Sequence, residues 1–122
     1  MSQKILFVCL HGAGKSRIAA AFFNEIAPPN WTAISAGVEP QAELGLNAVR
    51  LLAGTPAEPF LDTAAPHPIT AVVEPTHLVA IDCSVPGAEH WKLVHQQFDE
   101  GLREEIRTQV EALAAQLKVE VA

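Results

Sequence analysis

Cys9, Lys15 and Ser16 stand in the stretch FVCLHGAGKS, Phe7 to Ser16, and together these residue types can handle an anion. A cysteine becomes a strong nucleophile only once ionised. Its ordinary pKa is about 8.5, so near neutrality it needs an electropositive setting. Lys15 offers a charge and Ser16 a hydroxyl. Glycines at 12 and 14 let the backbone turn its N–H groups toward one point, as in an anion-binding nest. A helix starting directly after the loop adds about 0.3–1 kcal/mol for a negative charge at its N-terminus. The chemistry this points to is attack by Cys9 on a tetrahedral oxyanion held by the amides of Leu10, His11, Gly12, Ala13, Gly14 and Lys15. A protonated His11 ring would help hold the thiolate.

Two other readings compete. Gly14-Lys15-Ser16 matches the end of a nucleotide-binding phosphate loop, and the apolar HLVAID imitates a strand ending in a Mg²⁺-holding aspartate. The opening glycine of that motif would then be Cys9, where the loop needs backbone freedom. In the blander reading Cys9 is an inert buried thiol and Ser16 a helix cap. Arg17 falls about 200° around a helix from Lys15 and reads as a solvated surface arginine.

The elements that must position these residues are legible in the periodicity. KILFVC is a continuous apolar run, expected of a central strand covered on both faces. SRIAAAFFNEIA carries Ile18, Phe22 and Ile26 on one helical face, and PPN stops it. WTAISA reads as a second strand ending at Gly37, so the opening is a βαβ unit with parallel strands. ELGLNAVRLLAG predicts a second helix capped by Gly54. Five prolines between Thr55 and Pro75 predict extended segments and one short helix near PITAVVE. HLVAID predicts a third strand and AEHWKL a short fourth. Phe98, Leu102, Ile106, Val110, Leu113 and Leu117 mark a long amphipathic final helix, in whose first turn Gly101 costs about 1 kcal/mol relative to alanine. The expected fold is α/β, a single doubly wound domain over residues 1–122, with a four-stranded parallel sheet and helices on both faces. Sites in such folds lie at the carboxyl ends of strands, where Cys9 falls.

The chain's 122 residues, 49% of them hydrophobic and 18% charged, describe an ordinary globular protein. A net charge of −6 argues against nucleic acid or an anionic membrane as a partner. Two cysteines do not make a disulfide scaffold, so a reducing cytoplasm is expected. No stretch has the length of a signal peptide core or a membrane span. His67, His77 and His90 show no metal-ligand spacing with the cysteines, so neither metal nor cofactor is expected.

Strand, Cys9, five residues, a cation, Ser16 and helix together resemble the low-molecular-weight protein tyrosine phosphatases, and more closely the thioredoxin-type arsenate reductases. Ser35-Ala36-Gly37 matches a second signature of that superfamily. NAVRLLAG, THLVAIDC and EHWKL continue the resemblance in order along nearly the whole chain. It implies a Cys9 nucleophile with Lys15 and Ser16 assisting. Three departures stand out. Lys15 replaces an arginine whose planar fork grips two oxygens. His95 stands about where the phosphatases keep a general-acid aspartate, with Asp99 as fallback. Cys83 takes the place of the first of two later reductase cysteines, and no second follows. It is a candidate resolving thiol, or a small core filler. An external thiol (glutathione, mycothiol, glutaredoxin or thioredoxin) would complete a reductive cycle. The resemblance therefore implies arsenate reduction first, with tyrosine phosphatase activity or a weakened oxyanion-binding module as alternatives.

Overall fold

The run KILFVC forms the middle of the sheet because it is apolar on both sides. In the computed structural model, which describes residues 3 to 121 with side chains through Lys118, β1 (Gln3–Cys9) lies between β2 (Trp31–Gly37) and β3 (His77–Ile81), and β4 (Glu89–Trp91) closes the order β2-β1-β3-β4. All three pairings are parallel, with Cys9 opposite Gly37 and Val8 opposite Ala80. The helices are α1 (Lys15–Ile26), α2 (Leu46–Leu52) and α3 (Glu100–Val121).

Side chains alternate across a strand, and β1 divides the core accordingly. Ile5 and Phe7 join Ile18 and Phe23 of α1 and Leu102, Ile106 and Val110 of α3 on one face. The Phe7 ring packs tilted against Phe23 and Trp91, with centroids 6.2 and 5.7 Å apart. Leu6 and Val8 face the other way, onto Ala36, Val72, Ala80 and Val85. The connection β2→β3 begins on the α1 face, where Ala48, Leu51 and Leu52 of α2 pack with Ile18 and Phe23, and then crosses to the other. Its later part is proline-rich and covers that second face with the 3₁₀ turn Ile69–Ala71, beside Val72. An α-helix there would lose N–H donors and meet ring clashes, so the expected short helix shrinks to one turn. α2 is likewise shorter than expected, starting at Leu46. It ends as predicted, with Gly54 just beyond it at φ 78°.

Strand order reverses between β1 and β3, so the crevice at their carboxyl ends is the topological switch point. Cys9 ends one strand, and Asp82 follows the other. Gly37, the last residue of the Ser-Ala-Gly signature, has a steric reason at this place. A Cβ there would stand 2.5 Å from the His11 carbonyl carbon and 2.6 Å from Gly12 N, both rigid backbone. Gly37→Ala is therefore expected to destabilise the protein by about 2–3 kcal/mol, read from urea unfolding midpoints. It should also loosen the loop at 9–14.

Candidate functional site

Six successive loop carbonyls are bonded outward. Cys9, Leu10 and His11 accept from the N–H groups of Val38, Glu39 and Gln41 at 3.0, 2.7 and 3.2 Å. Gly12 accepts from Arg17 Nε at 3.3 Å, Ala13 from Gly45 at 3.2 Å and Gly14 from Ile18 at 2.9 Å. A trans peptide is planar, with its C=O and N–H pointing opposite ways, and no peptide bond among the described residues is cis. The N–H groups of residues 10 to 15 are thereby turned toward the hollow of the loop. Those of Leu10 to Gly14 find no partner among the described residues. Gly12 makes the turn possible at φ 68°.

Cys9 lies at the floor, 6% exposed, with its Sγ 3.0 Å from Ser16 Oγ. Ser16 does not cap α1; Gly14 holds that position. The Ser16 hydroxyl instead donates to the Ala36 carbonyl at 3.3 Å while Cys9 is a thiol, and can turn to donate to the sulfur once it is ionised. A cleft of about 280 Å³ opens over Cys9, lined also by Leu10, His11, Lys15, Asp82, Gln96 and Phe98. His11 is at the rim, its Nδ1 donating to the Glu39 carbonyl at 3.3 Å.

Lys15 points across the mouth. Its Nζ is 2.6 Å from Asp82 Oδ2 and 3.4 Å from Gln96 Oε1, and Gln96 Nε2 donates to the same Asp82 oxygen at 3.2 Å. Burial alone would raise the Asp82 carboxyl. The hydrogen bond from Lys15, with the Leu93 N–H and Gln96, outweighs it and holds the group below the usual carboxylate range. The loop cation thus stands in an ion pair.

Three expectations need correction. Arg17 is not a solvated surface residue: it is 1% exposed, its guanidinium bonded to the carbonyls of Gly12, Asp62 and Ala64. Ser16 to Phe23 are all buried, so α1 has no wet face in its first two turns. That apolar run was the signal available in the sequence. His95 does not line the cleft. Its Nδ1 lies 2.8 Å from Glu105 Oε1 and its ring rests where a Gly101 Cβ would be, 2.5 Å from ring carbon Cδ2. Asp99, the fallback, caps α3, its Oδ1 accepting from Leu102 N at 3.1 Å. Gln96 and Asp82 occupy the mouth instead.

Cys83 is brought to the switch point but on the far side. Alternation from Ile81 would aim it with Cys9; Asp82, left-handed at φ 53°, breaks the alternation. Cys83 packs with the Leu6 and Val8 cluster, and its Sγ donates to the Val8 carbonyl at 3.6 Å. Burial pushes its thiol pKa up, and the neighbouring Cys9 adds to this. Both cysteines are free. Among the described residues no group of three or more His, Cys, Asp or Glu is placed to hold a metal ion, and no helix is long and apolar enough to cross a membrane.

A four-stranded parallel sheet with its helices in this order is the fold shared by arsenate reductases and small phosphatases of the low-molecular-weight superfamily, as the loop's resemblance implied. An arsenate reductase from Archaeoglobus fulgidus superposes with a TM-score of 0.73 at 26% identity, over 91% of this chain and 98% of that one. The thioredoxin-dependent arsenate reductase of Corynebacterium glutamicum gives 0.73 at 22% over 98% of this chain, which spans 63% of that longer protein. The YwlE arginine phosphatase from Geobacillus stearothermophilus gives 0.68 at 19%, over 97% and 94% of the two chains. No family model and no curated protein sequence matches the chain.

The Asp82 shift fixes a pH dependence. A carboxyl whose folded pKa lies below its unfolded value of about 3.9 stabilises fully above that value and loses its effect as pH falls through the folded one. Asp82→Asn should therefore be less stable than the native protein at neutral pH. The difference between their urea midpoints should close as pH drops below about 4.

Proposed function

We propose that the protein is a thiol-dependent oxyanion enzyme of the arsenate-reductase type. One observation carries this reading: the Cys9 sulfur beside Ser16 at the floor of a loop whose six carbonyls are all tied outward. In the first step the Cys9 thiolate attacks arsenic, an S–As bond forms, and hydroxide leaves and takes a proton to become water. The loop amides hold the remaining oxygens through attack. In the second step an external thiolate attacks the Cys9 sulfur. A disulfide forms, the S–As electron pair stays on arsenic, As(V) becomes As(III), and arsenite departs. A further external thiol reduces the mixed disulfide and returns Cys9 as thiolate. Cys83 is not in this sequence, because it packs on the opposite side of the sheet.

Ester hydrolysis is the weaker alternative. A general acid for the leaving group contributes about 10²–10⁴-fold. His95 and Asp99 are both engaged outside the cleft, and Asp82 is held ionised by Lys15.

A second reading, an oxyanion-binding module with little turnover, is favoured by the Lys15–Asp82 pair, which spends the loop cation on a carboxylate. The deciding experiment measures arsenite formation with glutathione and glutaredoxin, mycothiol or thioredoxin as donors, beside aryl phosphate hydrolysis. The native protein is expected to reduce arsenate with one of these donors. Cys9→Ser should abolish turnover, and Cys83→Ser should leave it within about twofold, below the spread of ordinary surface effects. Phosphate binding without turnover of either substrate would establish the module, and tight Mg²⁺-dependent ATP binding the nucleotide loop. Asp82→Asn, by freeing Lys15, should tighten inorganic phosphate binding by about tenfold, equivalent to ~1.4 kcal/mol, measured by calorimetry.

A further inference from the structure

Arg17 is the largest fully buried side chain of the protein, and the chemistry above does not use it. Its Nη1 donates to the carbonyls of Asp62 and Ala64 at 2.5 and 2.6 Å, and its Nε to Gly12 at 3.3 Å. Nη2 is buried with no partner among the described residues. Every acceptor is a neutral carbonyl. The Asp62 carboxylate is turned aside, to His67 Nε2 at 3.0 Å and the Ala64 N–H at 2.9 Å. Among the described residues the guanidinium charge therefore has no direct ion pair, in contrast to Lys15, which has Asp82 at 2.6 Å.

We propose that Arg17 is a positioning residue for Cys9. Its buried guanidinium holds the Gly12 peptide with the Ala13 N–H turned into the oxyanion hollow. From beneath the loop it also supplies the positive charge that the Lys15–Asp82 pair withholds. The inference rests on the Cys9 reading above.

Two physical effects act through one contact. A cation on the Gly12 carbonyl polarises that peptide and makes the Ala13 N–H a stronger donor. A charge in a low-dielectric interior also reaches further than one in water. Burial lowers the Arg17 pKa, and the nearby Asp62 carboxylate acts against that lowering. Guanidinium is suited to the place, because it keeps its proton when buried and offers a planar fork to several carbonyls at once. The charged or titratable groups around Cys9 are Arg17 and Lys15 from α1, His11 from the loop, and Asp82 and Cys83 after β3.

The test is the rate of Cys9 alkylation by iodoacetamide from about pH 5 to 9, in a Cys83→Ser background, with and without inorganic phosphate. Native Arg17, Arg17→Lys and Arg17→Gln are compared, and their melting temperatures recorded. The Gln protein should show its pH–rate profile moved up by about one unit, so that it reacts about tenfold more slowly below the midpoint. Phosphate should protect it less. Lysine, which keeps the charge, should restore most of the shift in the profile even where melting stays low. A Gln protein that melts lower yet keeps the native profile and protection overturns the proposal and leaves Arg17 a strut. Where the Gln protein does not fold, the Arg17 Nε–H resonance of the ¹⁵N-labelled native protein is followed across the Cys9 titration. It should move with that titration and cease to do so in Cys9→Ser; a signal that stays fixed overturns the proposal. A native Cys9 that alkylates like a free thiol, unprotected by phosphate, overturns the functional reading and this inference together. An activated, protected native Cys9 with an unchanged Gln profile overturns this inference alone.

Discussion

The site depends on the direction of six peptide planes. A loop between a strand and a helix has no ladder to satisfy its backbone, and a buried carbonyl left unpaired costs about 1–3 kcal/mol. Here every carbonyl from Cys9 to Gly14 is met from outside, by Val38, Glu39, Gln41, Gly45, Arg17 and Ile18. That satisfaction leaves the N–H side of each plane free on the inner face. The donors belong mostly to the segment leaving β2, which explains why Gly37 must be bare: the segment can reach the loop only by passing within contact of His11 and Gly12. The Ser-Ala-Gly signature and the cysteine loop are thus two halves of one hydrogen-bonded unit. Ser35 and Ala36 are buried within it, and the Ala36 carbonyl takes the Ser16 hydroxyl.

Charge is distributed unusually around this frame. The chain carries a net charge of −6, so any anion would have to be attracted locally against the overall field. The mouth offers a neutral pair, Lys15 with Asp82; the buried Arg17 beneath is held by carbonyls, with the Asp62 carboxylate nearby but turned to His67. Peptide dipoles do not require a counter-ion, and they are fixed before any ligand arrives, which is the condition for stabilising developing charge without reorganisation. A cradle built this way relies less on its loop cation than one built on an arginine fork. A lysine at position 15 is tolerable in that setting.

How far this was readable in the sequence follows from which forces act locally. Continuous apolar runs and helical periods depend on near neighbours, so the strands, α1 and α3 fall where the pattern places them. So does the end of α2 at Gly54, because a left-handed residue past a helix is a local requirement. The loop was readable because cysteine, glycine and serine spacing along the chain is its geometry. Arg17 and His95 sit elsewhere than the sequence suggested, for tertiary reasons, and Cys83 takes the second of its two readings, a core filler. Helical geometry correctly turned Arg17 away from Lys15, but the carbonyls of residues 62–64 that fill that direction come from 45 positions or more along the chain. His95 was placed by register with a motif, whereas the Glu105 side chain and the space above Gly101 decide where its ring goes.

Cys83 shows how a single backbone conformation can set both the electrostatics and the chemistry. Strand parity from Ile81 would aim its thiol toward Cys9. Asp82 adopts φ 53°, a region that aspartate tolerates better than most side chains. Its own carboxylate then meets Lys15, Gln96 and the Leu93 N–H. The same turn sends the next residue through to the other face of the sheet, against Val8. Two features that look independent in sequence, a neutralised loop lysine and a second cysteine turned to the other face from Cys9, therefore have one cause. With Asp82 in this conformation, Cys83 packs against the Leu6 and Val8 face while Cys9 lines the cleft on the other.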